Sequence, residues 1–185
     1  MKKYISILII IVLFAVGIIA YNKHDKNIAI NCSSNQSEID SYVSKVLAES
    51  GNYNVQENEL DRQATDGSYR RIFTDKNNDV VLIEDKHSGE TGFRTVSVVL
   101  KDKKVVKVID ELTSYKIAPI EDPASVPTMT KDEFYVVNSS ICTWYKEGKL
   151  TDQITSPEKE YINVINGIIL DAENVARNGV SSESQ

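Results

Sequence analysis

The sequence predicts an α+β chain: an N-terminal membrane-spanning helix, then one small domain in which a meander of three or four antiparallel strands is packed by helices. Three observations carry this. An apolar run occupies residues 5–20. Segments rich in β-branched residues, separated by turn residues, fill the region 68–112. Apolar residues recur at helical spacing at both ends of the remaining chain.

Lys2 and Lys3 precede the run at 5–20, which only Ser6 and Gly17 interrupt. With its flanking tyrosines, Tyr4 and Tyr21, it would span about 27 Å as a helix, just enough for a hydrocarbon core of roughly 30 Å. It has no polar face, unlike a helix half-buried in a core. The lysines ahead of it hold the N-terminus in the cytoplasm and send the rest outward. Residues 1–21 thus read as a signal-anchor at the plasma (inner) membrane, single-pass, with a cleaved signal peptide and a periplasmic domain as the alternative. Residue 22 onward is a polar tether to 36, 37–179 the exported domain, and 180–185 a disordered tail.

The spacing predicts a first helix over 37–50, with Ser37 as N-cap and Ile39, Val43, Val46 and Leu47 on one face. Strand-like segments follow at 53–60, 68–74 and 80–84. The turn-rich tetrad 75–78 separates the last two, and His87 to Gly92 (HSGETG) reads as a loop. Residues 93–100 and 105–112 flank Lys101-Asp102-Lys103-Lys104 and read as a hairpin. Residues 115–127 carry three prolines and form a connector. Thr130 and Glu133 make a capping box, and Phe134, Val137, Ile141 and Tyr145 keep helical spacing up to Gly148, which predicts a helix, although FYVV also fits a strand. A last helix begins at Thr155-Ser156-Pro157 and buries Tyr161, Val164, Ile165, Ile168, Ala172 and Val175.

Acidic residues outnumber basic ones, 27 to 21, for a formal charge of −6, and removal of Lys2 and Lys3 with the anchor makes the remainder more acidic still. Such a surface excludes a nucleic-acid or anionic-lipid binder. The two cysteines, Cys32 and Cys142, read as a disulfide of an exported chain, closing a loop of about 110 residues.

Motifs of catalysis are weak. His87 has Ser88 and Glu90 beside it, but neighbours in one loop cannot converge as a triad. Asp75, Asn77 and Asp79 open like a calcium loop, yet Val80 replaces the glycine and Lys86 the closing glutamate. Ser156 and Lys159 satisfy S-x-x-K without its companion motifs. Adjacent acid pairs at 84–85, 110–111, 121–122 and 132–133 cannot face each other across a cleft, although acids from different pairs can. Lys101, Lys103, Lys104 and Lys107 form the basic cluster and read as hairpin-end charges. No cofactor or metal motif is present.

The expectation is therefore a non-enzymatic, membrane-tethered protein-binding module of the cell envelope: an inhibitor, an immunity-type protein or an accessory subunit. Its partner would be another envelope or exported protein. On the predicted helix Tyr135 and Trp144 fall off the apolar stripe, which makes them the candidate contact surface. The alternatives are an envelope hydrolase with an acid/His site and a small-molecule or lipid carrier.

Overall fold

The computed structural model describes residues 35–61, 67–116, 121, 124–151 and 156–178. Helix α1 (Gln36–Ala48) and a 3-10 turn (Ser50–Asn52) come first. Eight strands follow: β1 (Asn54–Asp61), β2 (Ser68–Thr74), β3 (Val80–Gly89), β4 (Gly92–Lys101), β5 (Lys104–Tyr115), β6 (Pro127–Val137), β7 (Ser140–Lys146) and β8 (Lys149–Leu150). Helix α2 (Ser156–Asn178) ends the described chain. The strands form one antiparallel sheet in chain order, β1 to β8.

The expectation of three or four strands is therefore corrected to eight, with two helices. The largest change is at 130–148, where the predicted helix is the β6–β7 hairpin. The apolar residues there alternate rather than wind. Phe134 and Val136 face one side of the sheet and Tyr135 the other. Asn138 and Ser139 both adopt positive φ and turn the chain tightly between Val137 and Ser140. Thr130 and Glu133, expected as a cap, are instead cross-strand partners of Leu112 and Ile109. The HSGETG segment is also mostly strand. His87 pairs with Arg94 and Gly89 with Gly92, leaving two turn residues, and a side chain at Gly92 would lie 2.2 Å from the carbonyl oxygen of Thr113.

Residues 1–34, with the expected spanning segment 1–21 and Cys32, lie outside the described residues. Among the described residues no helix is long and apolar enough to cross a membrane. Cys142, on β7, is the one described cysteine, so no pair of cysteines stands at bonding distance among them. The expected spanning helix and Cys32 thus fall outside the described residues, and Cys142 is not a free thiol.

Two helices cover the two faces of the sheet. On one face α1 buries Val43 and Val46 against Phe73, Leu82, Val99 and Ile109. On the other α2 buries Ile165, Ile169, Ala172 and Ala176 against Ile72, Ile83, Val98, Val108, Phe134 and Trp144. This double cover explains the apolar runs of β3, β4 and β5, broken only by Ser97 and Lys107, since residues pointing either way are buried. Strand register sorts the α2 face into rows. The apolar row Ile72–Ile83–Val98–Val108–Phe134–Trp144 is followed by an ionic row, Arg70–Asp85–Val96–Asp110–Asp132–Lys146, and then by Ser68–His87–Arg94–Leu112–Thr130.

The turn between β4 and β5 holds Asp102 and Lys103 at φ 53° and 62°. Only glycine adopts that conformation without cost, and Asn or Asp tolerate it better than Lys. Lys103→Gly should therefore raise stability by about 0.5–1 kcal/mol, read as a higher denaturant midpoint at unchanged slope.

Candidate functional site

The helices lie towards the end of the sheet where the β2–β3, β4–β5 and β6–β7 turns gather. The other halves of both faces are less covered.

On the α2 face the ionic row meets the start of the helix. Arg94 grips Asp110 with two hydrogen bonds, at 2.8 and 2.6 Å, and the Tyr161 hydroxyl donates to the same carboxylate. Trp144 Nε1 donates to Asp132 at 3.3 Å. Asp110 and Asp132 are direct cross-strand partners. They line a cleft of about 290 Å³ with Arg94, Leu112, Lys146 and Tyr161. Burial, reinforced by the bond to Asp110, pushes the Tyr161 hydroxyl well above its ordinary value, so it stays a neutral donor. Burial also raises the Asp132 carboxyl. Acids from two different sequence pairs thus do converge, as an acid site would need. Asp110, however, has both oxygens held by Arg94 and Tyr161, and the two carboxylates share one floor of the cleft instead of facing each other across it. Farther along the row, Arg70 binds Asp85 through two bonds of 2.7 Å and reaches Asp171 of α2 at 2.7 Å. These pairs clamp the helix to the sheet.

Under α1 the sheet buries a lysine. Lys107 is 4% exposed, and its ammonium donates to Asp40 at 2.7 Å and to Tyr135 Oη at 3.0 Å, with Glu133 at 2.9 Å. Burial works against its charge, but the bonds to Asp40, Tyr135 and Glu133 win and keep it protonated beyond the usual lysine range. Burial likewise opposes Asp40, yet the bonds from Lys107 and Tyr135 hold its carboxyl below the ordinary value. The basic cluster of the sequence is thus dispersed. Lys101 pairs with Glu38, Lys103 lies near Asp79, Lys104 pairs with Glu173, and Lys107 is interior.

Beyond α1 the same face is open. Following the register, Tyr69, Lys86, Thr95, Glu111 and Lys131 form one row, and Phe93, Thr113 and Met129 lie in the next. Arg71 stacks 4.5 Å from the Tyr69 ring centre, and Lys86 sits 4.7 Å from that of Phe93. Met129 is 70% exposed. Two aromatic rings held in place by cations, with a flexible thioether two strands beyond Phe93, make an amphipathic surface.

The sequence candidates fall elsewhere. Tyr135 and Trp144 are each 4% exposed, so neither offers a contact surface. Trp144 stacks on Phe134 with centres 5.4 Å apart, and Tyr135 belongs to the Lys107 cluster on the opposite face. Both miss the expectation because the segment is strand, not helix. His87 is exposed on β3, opposite Arg94. Asp75 accepts bonds from the Asn77 and Asp79 amides within the β2–β3 turn, which gives these residues a turn-forming role. Among the described residues no three acidic, histidine or cysteine side chains group as metal ligands. Lys159 is exposed on α2, and the Ser156 side chain is outside the described set. The open face carries a signal only partly present in the sequence: Tyr69 and Arg71 share a face by strand alternation, whereas Lys86 and Phe93 become neighbours only once the register of β3 and β4 is set. Compared with known proteins, the chain matches no family model, no curated protein and no solved structure.

Proposed function

We propose that this chain is a non-enzymatic protein-binding module whose contact surface is the open half of the α1 face. The observation that carries the reading is the cation-braced pair Tyr69 and Phe93 on a face that continues, two strands beyond Phe93, to exposed Met129. Aromatic side chains already held in one orientation lose little entropy on contact, which is why such residues dominate interface energetics. The partner we propose is another protein outside the cytoplasm, because positive charge precedes the apolar run at 5–20.

The test compares retention of proteins from an extract of the source cells on the immobilised full chain. A Tyr69→Ser/Phe93→Ser double variant should lose the stoichiometric partner by about tenfold or more. A control, Val164→Ser/Leu170→Ser, changes two exposed apolar residues of α2 and should retain it. Equal retention by both variants would overturn the reading.

A hydrolase reading has one observation in its favour, the raised Asp132 carboxyl beside Asp110. The bonds that saturate Asp110 give that pair a structural task instead.

A further inference from the structure

We propose that strand β1 is a docking edge that takes an added β-strand from a basic, extended segment of another protein. The proposal deepens, and rests on, the protein-binding reading.

Strand order leaves β1 at the margin of the sheet, paired with β2 alone among the described strands. An antiparallel margin presents a row of outward amides and carbonyls, ready to pair with an incoming strand. The opposite margin is shortened to the two residues of β8, which begins with Lys149. β1 is neither shortened in this way nor marked by a lysine. It runs for eight residues, NVQENELD, without proline, lysine or arginine. Its pairing is regular from Asn54 to Glu59, and the irregularity comes only after that. Residues 54–60 are exposed or half-exposed, and no described element lies over them.

Charge selects the occupant. Glu57 and Glu59 lie opposite Arg71 and Tyr69, on the same face as the aromatic surface. An incoming strand must place its own residues against those two carboxylates. Like charges directly opposite are destabilising and opposite charges stabilising. A second copy of this chain is disfavoured on that ground, because antiparallel pairing centred on Asn58 sets Glu57 of each copy against Glu59 of the other. A strand alternating basic and β-branched residues fits, with Val55, 50% exposed, and Leu60, 38% exposed, offering apolar contact near the two ends.

The test uses the full chain and two short peptides, one alternating Lys with Val and Thr, the other identical but with Glu for Lys. The basic peptide should bind and slow the outward β1 amides in hydrogen exchange by about tenfold or more, and the acidic one should not. Glu57→Lys/Glu59→Lys should reverse the preference at a small cost in melting temperature, since the exposed Arg71–Glu57 pair contributes little but the new lysine faces Arg71 across the strands. Three results would overturn the proposal: no binding of the basic peptide, equal binding to the charge-reversed chain, or β1 protection that comes from self-association. Loss of the cellular partner by the Tyr69→Ser/Phe93→Ser variant, with full retention by Glu57→Lys/Glu59→Lys, would overturn the docking edge and leave the protein-binding reading standing.

Discussion

Phe134→Ala lowers the stability of the domain by about 3–5 kcal/mol, a large share of what a domain this size possesses. Phe134 is wholly buried at the centre of the α2 face. Its ring stacks on Trp144 and meets the edge of Tyr161 at 5.5 Å, so one side chain joins β6, β7 and α2. Removing it opens a cavity between helix and sheet and takes the support from under Tyr161, the residue that ties α2 to Asp110. Chemical denaturation reads the loss as a fall in midpoint. A cost below about 1 kcal/mol would mean that α2 does not sit on this face.

Glu173→Ala costs about 2–4 kcal/mol, for a different reason. Glu173 is 1% exposed on α2 and accepts bonds from Ser139 at 2.8 Å, from Lys104 at 3.2 Å and from the Val105 amide at 3.3 Å. It therefore fastens the helix to two hairpins at once, and its loss strands the buried Val105 amide. Burial pushes its carboxyl up, but these bonds together hold it below the ordinary carboxylate value. A depressed value in the fold means that its contribution is complete above the unfolded group's titration and is lost as the pH falls through the folded group's lower one. Glu173→Gln should consequently be less stable at neutral pH yet lose less of its stability on acidification. Parallel acid curves for the two proteins would remove this assignment.

Much of the local structure is legible in the sequence because local rules decide it. Val43 and Val46 at helical spacing, the β-branched runs on either side of Asp102-Lys103, and the stripe Tyr161, Ile165, Ile168, Ala172 all name their elements without tertiary information, although Val164, expected on the same face, is 53% exposed. The segment 130–148 fails for a physical reason. Phe134, Val137, Ile141 and Tyr145 happen to be three or four apart, but two tight turn residues, Asn138 and Ser139, divide the stretch. Once divided, Phe134 and Ile141 share a face, and Val137 is left partly in solvent. The strand count fails because one-sided alternation is a poor template for a sheet covered on both faces. The buried ions are almost invisible locally, since Asp40 and Lys107 lie far apart in the chain and meet only after the sheet forms. Glu173 is the exception: a carboxylate between Ala172 and Ala176, on an otherwise apolar stripe, is a sequence sign of a buried partner.

Two helices protect one half of the sheet and leave the other half, with the β1 margin, open for contact. Hydrogen exchange on the free full chain should be slow across β3 to β6 under the helices, and fast at alternate residues of β1, whose amides point outward. Uniform slow exchange along β1 in the free chain would contradict it, because that margin would then already be paired.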